Sequence, residues 1–508
     1  MKKLITTAIL AAAAIAAGAA ENIEYDAYVR VNASKDRFAP YMIGSWNSGR
    51  ASAGRGIWQG ASAIRRVDTS RRFSWGYGAE YIAGYSNGFS YDRYDAATGS
   101  WTESAVRPSA LRLIQLYGEL KFRAVYLLAG MKERYSRITD NTLSSGDLVR
   151  STNARPIPGA AAGFLDFVDI PFTDGWVQID GEIMYGRFTD DGFDHKQFNR
   201  YQGLNTSDLC YTYKRCYFRT KPSMPFSVIV GMQTAGEFGG STTWYRAGKQ
   251  IRHEARGFHL RDIWDMFFPM EGSGEGYYKG NSLGSWDFKA VYNFKSAGKL
   301  SAYFQWPWED GSGIGRRNGW DGLWGLQYDF PSAGPLESIV IEYLDFTNQG
   351  GPIHYTVGDR PGTDLMSEAN GGDNYYNNDF YGPYANYGMA IGTPFLPAPI
   401  YNADGNASFA HNRSRGFHIA ARGTIEGRWH WRAMVSYQKA GGSGRLPAAR
   451  FLHNTSAMAE ASWQPAPSLP GLELKAQFAF DAGNLRGNNA GASIAVNFRG
   501  DFTLGKNK

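Results

Sequence analysis

The chain has 508 residues, a formal net charge of +6, 15% aromatic residues and 62 glycines, with a negative mean hydropathy. So mild a charge gives no argument for a nucleic-acid partner, and no stretch after residue 21 has the roughly 18 consecutive apolar residues of a membrane-crossing helix. An exported soluble protein or a β-barrel remains, and apolar residues dispersed singly through an aromatic- and glycine-rich chain favour the barrel.

Lys2 and Lys3, an apolar run from Leu4 to Ala17 and the small residues Ala17-Gly18-Ala19-Ala20 form the pattern of a cleaved export signal. Residues 1–20 are read as signal peptide and 21–508 as one outer-membrane barrel domain, since neither a second core nor an internal repeat follows.

Strict alternation marks the strands, because successive side chains in a membrane barrel face lipid and lumen in turn. In 112–123, Ile114, Leu116, Leu120 and Phe122 share one face and Gln115, Tyr117, Glu119, Lys121 and Arg123 the other. In 176–185, Val177, Ile179, Ile183 and Tyr185 are aligned. Cys210 and Cys216, close together in an exported chain, suggest a local disulfide across a loop or hairpin.

Trp286, Phe288, Tyr292 and Phe294 alternate next. In 429–438 Trp429, Trp431, Val435 and Tyr437 oppose His430, Arg432, Ser436 and Gln438, and in 472–481 Leu472, Leu474, Phe478 and Phe480 do likewise. Trp429 with Tyr437, and Trp286 with Phe294, sit near opposite strand ends, as two interfacial girdles about 25 Å apart require. Ile494, Val496, Phe498 and Phe502 supply the last apolar face. The Gly-, Asn- and Asp-rich stretches 92–108, 136–156, 245–282 and 348–415 read as long extracellular loops. Within them, 361–390 carries a tyrosine cluster, predicting a segment folded over or into the barrel and occluding it.

Gly280-Asn281-Ser282-Leu283-Gly284 has the spacing of a nucleophile elbow, but a strand pattern follows it where a helix is needed. Asp190-Asp191-Gly192 and Trp308-Glu309-Asp310-Gly311-Ser312-Gly313 place acids beside glycine without EF-hand spacing. No histidine pair has metal-ligand spacing, and His418 and His430 fall on polar strand faces, where a lumen-facing hydrogen bond is expected. No catalytic residue, metal site or cofactor is read. Tyr375, Tyr376, Asn377, Asn378, Asp379 and Tyr381, with Trp308, Glu309 and Asp310, concentrate aromatic faces, amides and carboxylates, the groups that bind sugar rings and hydroxyls. They are the candidate polysaccharide contacts, with packing of the loop onto the barrel as the competing role.

Several stretches resemble the capsule-assembly Wzi family: Leu143-Ser144-Ser145-Gly146, Ser151 to Pro158, Asp180-Gly181 through Asp191, Gly231 to Gly240, Gly280 to Gly284, Trp308 to Gly313, Glu342-Tyr343 with Thr347-Asn348-Gln349, Asn377 to Tyr381, Ile391-Gly392-Thr393-Pro394, and Asn412-Arg413 with His418. The pattern departs at Tyr185, where a histidine is expected, and at Gly350-Gly351-Pro352, where a serine usually precedes the glycine. The resemblance spans about residues 110 to 440. It implies an eighteen-stranded outer-membrane barrel, not an enzyme, whose external face binds capsular polysaccharide, and it identifies no sugar-contacting residues.

The expected protein is therefore a lectin-like anchor, its partners being surface polysaccharide, outer-membrane lipids and the barrel-insertion machinery. A porin for oligosaccharides or small solutes is the first alternative and a barrel-type surface hydrolase the second.

Overall fold

The computed structural model describes residues 21–504 apart from 51, 96, 107–109, 191, 268–279, 310–317, 350–372 and 466–467. The expected signal peptide at 1–20 lies outside the described residues.

Eighteen strands form the wall. They are β1 (Glu21–Ser34), β2 (Gly56–Arg65), β3 (Phe73–Ser86), β4 (Leu111–Phe122), β5 (Val125–Met131), and β6 (Gly159–Phe164, resumed at Val168–Asp169). Next come β7 (Val177–Arg187), β8 (Cys210–Thr220), β9 (Phe226–Phe238), β10 (Asn281–Asn293), β11 (Lys299–Trp308) and β12 (Gly322–Asp329). The circuit ends with β13 (Ser338–Asp345), β14 (Ser414–Ile425), β15 (Trp429–Gly442), β16 (Pro447–Trp463), β17 (Leu472–Gly483) and β18 (Asn489–Leu504).

Each strand pairs antiparallel with its sequence neighbours, and β1 pairs with β18 from Glu21↔Leu504 to Ser34↔Gly491. That seam satisfies the edge groups that hydrocarbon would leave without partners, at several kcal/mol each. Connections at one end are short, such as 123–124 and 426–428; those at the other include 132–158, 239–280 and 346–413. This asymmetry defines a turn end and a loop end.

Burial is inverted relative to a soluble protein. On β15 Trp429, Val435 and Tyr437 are exposed while Met434, Ser436 and Gln438 are buried; on β18 Ile494, Val496 and Phe498 are exposed while Ser493 and Asn497 are buried. The expected alternation therefore holds, with the apolar face outward. Trp429 stacks on Trp463 of β16 at 5.3 Å, near the turn end.

Two expectations fail. Ile114 does not share the outward face of Leu120 and Phe122: the register against β3 slips between Glu80 and Tyr81, so Leu113 and Gln115 pair while Ile114 is the extra residue of a β-bulge. Its side chain is fully buried with Trp58 and Ile82. Cys210 and Cys216 do not bridge a loop. Both are free thiols on β8, and six residues of strand separate them by about 20 Å, far beyond the roughly 7 Å that a disulfide spans.

The loops are more regular than their composition suggests. Residues 89–106 contain a hairpin (Phe89–Asp95 with Ser100–Val106), and a second sheet joins Gly203–Ser207, Gly240–Arg246 and Lys249–Arg256. Three short helices occur among the described residues: α1 (Tyr41–Gly44), α2 (Phe193–Gln197) and α3 (Leu260–Phe267).

Candidate functional site

Polar side chains of the inner wall bind backbone from long loops, and this draws 132–158 and 373–413 into the lumen. Glu342 on β13 accepts Ser144 Oγ (2.6 Å) and Ser145 N (2.7 Å), and His418 Nε2 on β14 donates to Leu143 O (2.7 Å). The His418 tautomer follows, because a carbonyl only accepts; Nδ1 is then free to accept from Ser436 Oγ at 2.7 Å. Gln233 and Gln305 donate to Asp147. The second segment closes over the first. Thr393 Oγ1 donates to Ser145 O, Ser151 Oγ to Gly392 O, and Asn153 Nδ2 to Ala390 O. The family-like stretches around Leu143, Ser151, Glu342, Ile391 and His418 thus meet as fasteners of a lumen plug.

The tyrosine cluster packs into this plug, which is the competing role set beside sugar contact in the sequence. Tyr375, Tyr376 and Tyr381 are buried, as is Trp308. Tyr375 Oη donates to Asp321 Oδ2 (3.1 Å) and accepts from Asn318 Nδ2 (2.7 Å); Tyr376 Oη donates to Leu148 O, and its backbone N donates to Glu309 Oε1. Asn377 donates to Phe409 O, and Asn378 donates to Asn281 and caps the N–H groups of Phe380 and Tyr381. Of the cluster Asp379 is exposed, in an ion pair with Arg445. Asp310, Asp191 and Gly350-Gly351-Pro352 lie outside the described residues. Gly280 leads into β10, so the elbow's strand-turn-helix geometry does not form around Ser282.

Two cavities flank α1. One, of about 1130 Å³, opens toward the turn end between β1–β4 and β15–β18, with Met42 and Ile43 on its wall beside Arg30, Arg50, Glu80 and Lys475. The other is a cleft of about 740 Å³ at the loop end, where Tyr41, Arg37, Tyr401, Asn402, His411 and Arg486 converge. Helix α1 is placed by Asp481 of β17, which accepts Tyr41 N at 2.9 Å.

The cleft groups are prearranged. Arg486 donates to Phe395 O (2.8 Å), which holds its guanidinium 4.0 Å from the Tyr41 ring centroid. Tyr401 meets Phe38 edge-on at 5.0 Å, and Asn402 is oriented by bonds to Asn406 O and Ser408 O. Lys35, Arg37 and Arg486 face Asp36, Asp404 and Asp481 with no salt bridge joining them among the described residues. Tyr41 Oη and His411 Nδ1 are buried atoms without a hydrogen-bond partner there. Burial pushes the Tyr401 hydroxyl up to about 12, keeping it a donor. Burial and then the Arg486 charge lower the His411 pKa, keeping its imidazole neutral at neutral pH.

Such a set of aromatic rims, fixed amides, hydroxyls and separated charges suits a polyhydroxylated ligand. Sequence reading missed it because its parts come from three remote connections, and no spacing links 35–41, 397–411 and 485–489. The basic-aromatic run Arg37-Phe38-Ala39-Pro40-Tyr41 was its one local signal.

No family model matches the chain, and no curated protein does. Among solved structures it is similar to Wzi of Escherichia coli, described as an outer-membrane protein of group 1 capsule assembly and a carbohydrate-binding β-barrel. Identity is 13%, the match covers 93% of this chain and 84% of that one, and the TM-score is 0.54. OccAB2 of Acinetobacter baumannii matches at 10% identity over 95% and 98% of the two chains with a TM-score of 0.48, and OccK5 of Pseudomonas aeruginosa at 9% over 96% and 98% with 0.44. At such identities it is the fold that is shared, and the protein is an eighteen-stranded barrel of the outer-membrane kind.

Proposed function

We propose that the protein is a lectin-like member of the Wzi family that holds surface polysaccharide at its loop-end cleft, the loop end facing outward from the cell. The observation that carries this reading is the cleft itself: it is lined by aromatic, amide and charged groups and ends on α1 and the plug instead of continuing through the barrel. A blind cleft retains a ligand and does not pass it on. The carbohydrate binding of the similar Wzi barrel supports the assignment. The role needs no turnover and no cofactor, because modest contacts repeated along a polymer accumulate into stable attachment.

The test is retention of capsular polysaccharide, from the same cell and from an unrelated strain, on immobilised detergent-solubilised protein. Saturable binding is expected. Tyr401→Ala or Arg486→Ala should weaken it about tenfold each, which corresponds to roughly 1.4 kcal/mol. Retention of neither polymer, or full retention by both variants, removes the basis of the assignment.

One observation favours a solute porin as second reading: a single helical turn, α1, parts two cavities that face opposite ends. Planar-bilayer conductance separates the two, the anchor being expected to show essentially none.

A further inference from the structure

Helix α3 does not lie over the lumen. Its contacts place it against the outer wall of the barrel near the loop end. On β8 the inward residues are Tyr211, Tyr213, Arg215 and Tyr217, so Thr212, Lys214, Cys216 and Phe218 point outward. Lys214 Nζ donates to Met266 O (2.7 Å) and Phe267 O (3.0 Å), satisfying carbonyls of the helix's last turn. The outward Tyr185 of β7 donates to Ile263 O at 2.7 Å. Glycine permits the close approach: a Cβ at Gly236 on β9 would meet Met266 Cε at 2.7 Å. The helix start is fixed by Asp262, whose carboxylate accepts His259 N (2.8 Å) while its own N–H donates to His259 O.

The polarity of α3 is reversed relative to a helix on a soluble protein. The side against the wall buries Asp262 and Met266 completely, whereas Leu260 is 80%, Trp264 64%, Ile263 37% and Phe267 36% exposed. Positions 260, 263, 264 and 267 form one stripe, and Phe258 extends it. Left in water, four large apolar side chains at about 25 cal/mol per Å² would cost several kcal/mol. The helix docks on the outward side of β8 and β9, the same side of the wall on which Phe218, Val230 and Phe288 are exposed at one level six residues nearer the turn end than Thr212 and Gly236. A tryptophan on such a stripe at the end of a membrane barrel matches the interfacial belt.

We propose that α3 is an interfacial membrane anchor: it lies in the leaflet at the loop end with Leu260, Ile263, Trp264 and Phe267 among the lipid acyl chains, bracketing the barrel from outside. The inference rests on the barrel spanning a membrane, not on what the cleft binds. The occupant is lipid, because outward side chains, Tyr185 and Lys214, hold α3 on the side of the wall whose other exposed residues are apolar.

The test uses full-length protein carrying Cys210→Ser and Cys216→Ser, reconstituted in phosphatidylcholine vesicles, with heat-modifiable gel migration reporting folding. Nitroxide labels are placed singly at Trp264→Cys, at Leu260→Cys, at Phe288→Cys on the wall and at Ala403→Cys in a loop. Collisions with oxygen and with a water-soluble nickel chelate are then compared. The Trp264 and Leu260 sites are expected to match the Phe288 site, with an oxygen-to-nickel ratio severalfold above that at Ala403. Nickel accessibility equal to that at Ala403 at both helix sites, with the Phe288 site protected, overturns the anchor while leaving the barrel intact. Nickel access at the Phe288 site as well overturns the spanning barrel beneath it.

Discussion

Tyr375 and Tyr401 place the same side chain in opposite situations. Tyr375 is enclosed in the plug with its hydroxyl shared between Asp321 and Asn318, whereas Tyr401 lines the open cleft. Tyr375→Phe should therefore destabilise the fold by about 1–3 kcal/mol, the cost of leaving buried polar partners unmatched, and leave polysaccharide retention unchanged at saturating folded protein. Loss of retention by Tyr375→Phe would return that residue to the site. Asp321 gives a pH signature. Burial raises its pKa from the ordinary 3.8 to about 6 against the N–H groups of Asn348 and Gln349, which lower it. Its contribution to stability is complete below the unfolded value and is lost as pH rises through about 6, amounting to about 3 kcal/mol for two units. The midpoint of heat-modifiable unfolding should thus fall between about pH 4 and about pH 8 more steeply in wild type than in Asp321→Asn. Parallel curves would show that the carboxyl is not strained.

At the scale of elements, the bulge in β4 and the turn of α1 each settle something local alternation does not show. The extra residue at Ile114 turns an apolar side chain inward, so Ile114→Ala should cost about 2–4 kcal/mol as a buried cavity. The outward Leu113→Ala loses only contact with lipid and should cost about 1 kcal/mol or less. Equal losses, measured by heat-modifiable migration in detergent, would place Ile114 on the lipid face after all. Helix α1 separates the loop-end cleft from the turn-end cavity with four residues held through Asp481. Replacing 41–44 with Gly-Ser-Gly-Ser should join the two spaces and raise single-channel conductance well above that of wild type. Unchanged conductance would mean that the remaining plug seals the barrel without it.

At the scale of the molecule, an apolar exterior and a polar, bonded interior were legible because a membrane wall imposes a period of two on every strand, and that period survives in β15, β17 and β18 without any tertiary information. The occluding role of the tyrosine-rich segment was legible too, since its residues from 373 onward do enter the lumen; which of its groups faced a ligand was not. Tyr375 and Asp379 lie four residues apart, yet one is sealed within and the other is exposed. The thiol pair failed for a related reason: proximity in sequence says nothing about extension, and one straight strand holds the two cysteines apart. The barrel and the sign of its two faces are written in local pattern, because each follows from residues adjacent along the chain meeting two different solvents. The place of the cleft and the position of α3 outside the wall emerge on folding alone, because those arrangements depend on closure bringing together segments such as 35–41, 397–411 and 485–489, whose spacing along the chain encodes no distance.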